Sequence, residues 1–151
     1  MKGPFERLRS APGSALLLGL AGLLPFIGIA VIVTTTTSPV YAWWLTTLAQ
    51  YAAVILSFVG ALQWGLTMRV GHQGGEGWLR YGWSVVPSLA GWLALQLPVW
   101  TALRVEAGVL VLCYAVDRHL AMGGEAPEWF LPFRLLLTVV GSASLLVASY
   151  A

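Results

Sequence analysis

The chain has 151 residues, of which 58% are hydrophobic and only 9% are charged. A soluble globular domain carries about 25% charged residues, so the composition excludes that class and indicates a single integral membrane domain over residues 1–151. The net charge of +2 is small, and the basic residues fall near the ends of apolar segments rather than in one patch, so nucleic-acid binding is not expected.

A basic amino terminus is followed by an apolar run that predicts a first transmembrane helix at about residues 14–34. A run of about 20 residues matches the ~30 Å hydrocarbon core of a bilayer, and it exceeds the apolar part of a cleaved signal peptide. Pro25, at the middle of the run, predicts a kink in this helix. A short link that contains Ser38 and Pro39 then predicts an antiparallel second helix.

The second helix is predicted at about residues 43–69, and it carries a small residue at every fourth position. Residues four apart stack on one helix face, so these positions predict a ridge for close helix packing inside a bilayer, with the first helix as the expected partner. Replacement of Ser57 or Ala61 by Leu is accordingly predicted to damage folding. The ridge residues are Ala49, Ala53, Ser57, Ala61 and Gly65.

Residues 70–81 are rich in glycine and predict an exposed loop. Three further helices are predicted at about residues 82–98, 102–119 and 133–150, with a kink at Pro87 and a tight turn at Pro98. The predicted fold is therefore all-α, an integral membrane bundle of five transmembrane helices.

The distribution of basic residues predicts the orientation of this bundle. Of the eight Lys and Arg residues, only Arg104 falls in a segment that would be outside if the amino terminus is inside. Basic residues concentrate on the cytoplasmic side of membrane proteins, so we expect a cytoplasmic amino terminus and a periplasmic carboxyl terminus. The expected location is the bacterial inner membrane, with several passes.

Two carboxylates share one face of the fourth predicted helix. Glu106 and Asp117 are eleven residues apart, or ~16 Å along a helix, which is too far to share one proton or one metal ion. A carboxylate near a membrane needs a partner, so Glu106 is expected either to pair with Arg104 or to lie at the outer interface, and Asp117 is expected to pair with Arg118 or Arg134. A role for Glu106 and Asp117 in proton-coupled transport is the third-ranked function.

Gln63 is a polar side chain in apolar surroundings, and it predicts either an interhelical hydrogen bond or a contact with a ligand. Together with Trp64 and Trp92 it is a candidate lining of a cavity for an apolar ligand. Replacement of Gln63 by Leu is predicted to spare folding. The single Cys113 lies in an apolar run and is interpreted as a packing residue.

The sequence lacks the motifs of catalysis and of metal binding. It contains no GxSxG, Walker or GxGxxG pattern, and His72 and His119 lack the spacing of a haem or metal site. We therefore expect neither an enzyme, nor catalytic residues, nor a metal, nor an obligatory cofactor.

Four stretches are similar to an uncharacterised family of bacterial inner-membrane proteins that includes the eukaryotic mitochondrial transmembrane protein 69. That resemblance implies a small multi-helix protein of an energy-transducing membrane, and it implies no reaction. In the family a His often precedes the Trp-Gly pair of the second helix, where this chain has Gln63, so a proton or metal role of that His is not carried over. The stretches are YAAVILSFVGALQWG (Tyr51–Gly65), WSVVPSLAGWLALQLP (Trp83–Pro98), Asp117-Arg118 and PEWFLPFR (Pro127–Arg134).

The first functional hypothesis is an accessory or assembly subunit of a respiratory or photosynthetic membrane complex, with membrane lipids and other integral membrane subunits as partners. Helix faces of small and aromatic residues suit such contacts. The alternative hypothesis is a binder or carrier of a small apolar ligand, namely a lipid, a quinone or a tetrapyrrole.

Overall fold

The computed structural model of the chain describes residues 6–7, 9–36, 39–121 and 126–151, and all regular structure in these ranges is α-helical. Lys2, Ser38 and residues 122–125, which the topology and loop predictions use, lie outside the described residues. The helices are α1 (Gly13–Ala21), α2 (Leu24–Thr35), α3 (Tyr41–Val70), α4 (Gly74–Ala94), α5 (Val99–Ala121) and α6 (Phe130–Tyr150).

Four helical stretches of the described chain are long and apolar enough to cross a membrane. They are α1 and α2 taken together (23 residues), α3 (30 residues), the Val99–Leu120 part of α5 (22 residues) and α6 (21 residues). α4 is not among them, and its first two turns carry Glu76 and Arg80. The prediction of an all-helical protein is confirmed for the described residues, and four of the five expected crossings meet the length and hydropathy of a span.

The first span is interrupted in its middle, as Pro25 predicts. α1 ends at Ala21 and α2 begins at Leu24. Pro25 has no N–H to donate to the carbonyl of Ala21, and its ring crowds the preceding turn, so the helical ladder cannot continue there. The hydroxyl of Tyr51 on α3 donates to the carbonyl of Gly22 at 2.8 Å, which ties the break to the bundle.

Small residues bring α3 and α4 into close antiparallel contact. A Cβ added to Gly60 would collide with the backbone carbonyl oxygen of Ser84, and one added to Gly91 would lie 3.1 Å from the Cα of Ala53. The tight contact predicted for this part of α3 therefore exists, but α4 makes it rather than the first helix. Dispersion contacts over this interface stabilise the pair.

The predicted ridge of small residues is buried only at its beginning. Ala49 and Ala53 are buried, whereas Ser57, Ala61 and Gly65 are exposed. A helix turns about 100° per residue, so a row at every fourth position rotates by about 40° at each step and leaves the contact face after two or three steps. The prediction that all five residues share one interface within this chain is wrong for the last three.

The glycine-rich segment after α3 is mostly helical, so the predicted loop at residues 70–81 is wrong. Gly71 ends α3 with a φ of 76°, a left-handed conformation that glycine adopts without strain, and α4 already begins at Gly74. Glu76 lies in the first turn and contacts the Arg80 guanidinium at 3.0 Å, one turn further on. The glycine content of this segment disfavours a helix, but the interaction of Glu76 with the helix dipole and the ion pair with Arg80 both stabilise one.

The last two helices also begin earlier than predicted. α5 begins at Val99, directly after Pro98, and α6 begins at Phe130 although Pro132 lies in its first turn. Proline is tolerated there because the N–H groups of a first turn have no partner within the helix.

Candidate functional site

Asp117 on α5 is the centre of a set of buried polar side chains. Gln63 on α3 donates from Nε2 to Asp117 Oδ1 at 2.6 Å, and Arg134 on α6 donates from Nε to Asp117 Oδ2 at 3.0 Å. Asp117 and Arg134 are 3% and 5% exposed. Both carboxylate oxygens therefore accept from other helices, which is the arrangement that makes a buried ion pair tolerable.

Two threonines extend this set by one helical turn each. Arg134 donates from Nη1 to the Thr138 hydroxyl at 2.9 Å, and the Thr67 hydroxyl donates to the backbone carbonyl of Gln63 at 2.9 Å. We call Gln63, Thr67, Asp117, Arg134 and Thr138 the polar cluster. It joins α3, α5 and α6 inside an otherwise apolar bundle.

One donor of the polar cluster has no acceptor among the described residues. Arg134 Nη2 is buried, and no described residue accepts a hydrogen bond from it. An unpaired buried donor destabilises a fold by about 1–3 kcal/mol. Two partners, Asp117 and Thr138, thus hold the guanidinium in place, and its third nitrogen has none among the described residues.

Arg134 also lies in the wall of a cavity of about 270 Å³, which we call the lateral groove. The groove lies where α1 gives way to α2, with α3, α5 and α6 around it. Its walls include Leu18 and Phe58, which are 69% and 59% exposed, so the groove opens at the surface of the bundle. The other lining residues are Gly19, Gly22, Leu23, Phe26, Ile55, Val59, Leu62, Leu110 and Leu137.

The lateral groove is apolar apart from one group. Arg134 is the only ionisable side chain among the described residues that line it. Because Asp117 pairs with Arg134, the two together carry no net charge. The site therefore has hydrocarbon walls and one charged side chain, which belongs to a neutral pair.

Glu106 lies elsewhere on α5, and no described residue pairs with it. It is 0% exposed, and neither carboxylate oxygen has a hydrogen-bond partner among the described residues. Arg104 donates instead from Nη2 to the backbone carbonyl of Ser149 at 3.1 Å, and its guanidinium lies 4.3 Å from the ring centre of Tyr150. The predicted Glu106–Arg104 pair is wrong, because residues two apart point to roughly opposite sides of a helix.

The other predicted site residues are not brought together. Gln63 points inward to Asp117, while Trp64 is half exposed beside the Tyr81 ring, with ring centres 4.8 Å apart. Trp92 is 60% exposed on α4. The predicted cavity lined by these three residues is wrong, because adjacent residues of a helix diverge by about 100°.

Of the three residues predicted to form ion pairs, two do so. Asp117 and Arg134 pair, whereas Arg118 is exposed at the end of α5 and takes no part in the polar cluster. Cys113 is buried in the apolar core, one turn before Asp117. The sequence predictions include neither Thr138 nor the lateral groove. The spacing of four residues between Arg134 and Thr138 is a signal for the first, and the helix break at Gly22–Pro25 is a signal for the second.

The helices and the buried polar cluster define a multi-pass helical membrane protein. A family model described as a protein of unknown function (DUF3429) matches residues 11–150, so the chain belongs to that family. Transmembrane protein 69 of Xenopus tropicalis is 37% identical over 144 residues, which cover 93% of this chain and 55% of that protein.

Transmembrane protein 69 of Mus musculus is 27% identical over 142 residues, which cover 93% of this chain and 57% of that protein. The chain thus spans about half the length of the curated relatives it matches. No solved structure matches the chain. The names of these relatives and the apolar helices both indicate a multi-pass membrane protein.

Proposed function

We propose that this protein is a non-catalytic membrane protein that binds a small apolar ligand in the lateral groove. The observation that carries the proposal is a surface-open apolar cavity of about 270 Å³ with one buried, partly unpaired donor, Arg134, in its wall. Ligand sites combine apolar walls with a few polar groups that fix orientation, and this groove has that composition.

The size of the groove limits what can occupy it. Its volume of about 270 Å³ is slightly below the usual range for ligand sites, which is roughly 300–1,000 Å³. A head group or a chain segment of a lipid or a quinone suits this volume better than the macrocycle of a tetrapyrrole. The remainder of such a ligand would lie along Leu18 and Phe58 in the surrounding lipid.

Mass spectrometry of the protein released intact from lipid nanodiscs tests this proposal. We expect a retained small molecule in the native chain, and its loss in Leu62→Trp, because Leu62 lines the groove and an indole would fill it. Val54→Trp is the matched control, since Val54 is an exposed α3 residue outside the groove. Equal retention in both variants, or no retained molecule in the native chain, would contradict binding in the groove.

A second function, that of an accessory or assembly subunit of a larger energy-transducing complex, is favoured by a different observation. Ser57 and Ala61 are exposed and border a shallow surface depression between α3 and α4, which Ser84 and Ser88 also line. Small residues on a lipid-facing surface let a helix of another subunit approach closely. This face would be the contact with that subunit.

Migration in native gels after mild solubilisation tests the accessory role. The chain should migrate with a large complex, and Ala61→Leu should release it without loss of folded chain. Val54→Leu serves as the control on another exposed position of α3. Migration of the native chain at its own small mass would exclude a stable complex.

We also propose that the protein lies in the bacterial inner membrane, with its amino terminus in the cytoplasm and its carboxyl terminus in the periplasm. The concentration of basic residues at predicted inner segments supports this orientation. The orientation requires α4 to cross as a fifth span. Its close antiparallel contact with α3 through Gly60 and Gly91 supports that crossing.

A further inference from the structure

We propose that the ligand of the lateral groove has a neutral head group whose carbonyl oxygen accepts a hydrogen bond from Arg134 Nη2. The inference rests on the proposed function and adds the chemistry of the bound group. Quinones and esters of fatty acids share this chemistry, a carbonyl oxygen on an uncharged head with an apolar tail.

The charge balance of the polar cluster argues against an anionic head group. Asp117 already compensates Arg134, with its two oxygens held by Arg134 Nε and Gln63 Nε2. A carboxylate or phosphate in the groove would add a second negative charge, and no second cation lines the groove among the described residues. An uncompensated charge in a medium of low dielectric constant is strongly disfavoured.

The hydrogen-bond inventory argues for a carbonyl rather than a hydroxyl. Arg134 Nη2 can only donate, so it needs an acceptor. A carbonyl oxygen supplies one and brings no donor of its own. A hydroxyl would bring an O–H into a groove whose other described side chains, such as Phe26 and Leu137, cannot accept it.

A set of ligands that share one tail separates these alternatives. We would measure the thermal midpoint of the detergent-solubilised protein, and the occupancy in native mass spectra, with methyl dodecanoate, dodecanoate, dodecanol and dodecane. A ligand that binds the native state raises the midpoint in proportion to its occupancy. We expect methyl dodecanoate to bind about five- to tenfold more tightly than dodecane, the increment of one added hydrogen bond, and more tightly than dodecanoate or dodecanol.

A decyl-substituted benzoquinone, measured in the same way, distinguishes the two sources of the carbonyl. If the benzoquinone binds more tightly than methyl dodecanoate, a quinone is the favoured class of ligand. If it binds more weakly, an ester lipid is favoured. Either result is consistent with the inference.

Arg134→Lys tests the donor itself. Lysine keeps the charge that pairs with Asp117 but has no second nitrogen to offer, so the preference for the ester over the alkane should fall to about twofold or less. If this variant does not fold, the ligand series on the native chain still decides the matter.

The outcomes separate the inference from the proposed function. Equal binding of ester and alkane, or tighter binding of dodecanoate or dodecanol, overturns the inference and leaves groove binding intact. An ester preference that survives in Arg134→Lys overturns the assignment of the donor. Failure of every ligand to bind, with Leu62→Trp behaving as the native chain, overturns both.

Discussion

At the scale of single residues, the bundle treats its two buried carboxylates in opposite ways. Asp117 has a donor on each oxygen, from Gln63 and Arg134, whereas Glu106 has none among the described residues. Asp117 and Glu106 lie on the same helix and are similarly buried. Their replacement is nevertheless expected to change the stability of the protein in opposite directions.

Loss of the Asp117 carboxylate should destabilise the protein strongly. Asp117→Asn leaves the Arg134 charge buried without a partner, and we expect the free energy of unfolding to fall by about 3–5 kcal/mol. Gln63→Leu leaves only one oxygen without a donor, and a decrease of about 1–3 kcal/mol is expected. Unfolding of the purified protein in mixed micelles, followed by tryptophan fluorescence, measures both.

The double variant Asp117→Asn with Arg134→Met provides the control for this prediction, because it removes both charges. It should be more stable than Asp117→Asn alone. A single Asp117→Asn variant as stable as the native chain would mean that the ion pair contributes nothing. The sequence-based expectation that Gln63→Leu spares folding is thereby revised, since the structure gives Gln63 a buried partner.

Replacement of Glu106 should have the opposite sign. Glu106→Leu removes a buried polar group that has no described partner, so the free energy of unfolding is expected to rise by about 1–3 kcal/mol. Glu106→Gln, which keeps the size and the unpaired polar atoms, is the comparison and should gain less. Destabilisation by Glu106→Leu in the same micelle assay would show that the carboxyl group has a partner.

The sequence allowed part of the site to be predicted, for reasons that are visible at this scale. Asp117 is expected to pair with Arg118 or Arg134 because a charge in an apolar helix needs a partner, and the pair with Arg134 is the one that forms. The rotation of α5 against α6 determines which arginine pairs with Asp117. It also determines that Arg104 contacts Ser149 and not Glu106. That rotation is a property of tertiary packing, which local spacing does not encode.

At the scale of helices, the interface between α3 and α4 depends on the absence of a side chain at Gly60. The carbonyl oxygen of Ser84 occupies the position that a Cβ of residue 60 would take. Gly60→Ala should therefore force the helices apart and lower the free energy of unfolding by about 1–3 kcal/mol.

Gly65→Ala is a matched control on the same helix, since no described side chain and no other helix lies within 4 Å of a Cβ built there. It should be neutral or stabilising by up to about 1 kcal/mol, because alanine favours a helix over glycine. Equal effects of the two variants would indicate that helix propensity, and not the close approach to Ser84, determines the result.

The exposed end of the small-residue ridge makes a further prediction at this scale. Ser57 and Ala61 lie exposed at the edge of the contact between α3 and α4, so Ser57→Leu and Ala61→Leu should leave the free energy of unfolding of the isolated chain within about 0.5 kcal/mol. The same micelle assay measures this, and a loss of stability comparable with that of Gly60→Ala would restore the original expectation of a fully buried ridge.

Sequence spacing located the helix and its small residues correctly, but it did not account for their gradual rotation around the helix axis.

For the whole molecule, the number of crossings depends on α4. If α4 spans the membrane, the turn at Gln73 and the turn at Gln96 lie on opposite sides, with Gln73 in the cytoplasm. Cysteines placed singly at these positions in a Cys113→Ala background should differ in intact cells, with only the Gln96→Cys variant modified by a membrane-impermeant maleimide.

Modification of both cysteines, or of neither, would place the two turns on the same side and reduce the crossings to four. Composition predicted an all-helical membrane protein well, because hydropathy over a bilayer-length segment is a strong signal. It could not place the beginning of α4, where glycines mask a helix that Glu76 and Arg80 stabilise.

The interruption of the first span between Ala21 and Leu24 has a consequence for how a ligand would reach its site. The groove beside this break opens between Leu18 and Phe58 on the outer surface of the bundle, so exchange would run sideways through the hydrocarbon phase and not through water. Occupancy would then follow the mole fraction of the ligand among the surrounding lipids. A modest affinity would be enough to keep the groove filled, and the thermal midpoint of the protein would depend on the composition of the bilayer in which it is measured.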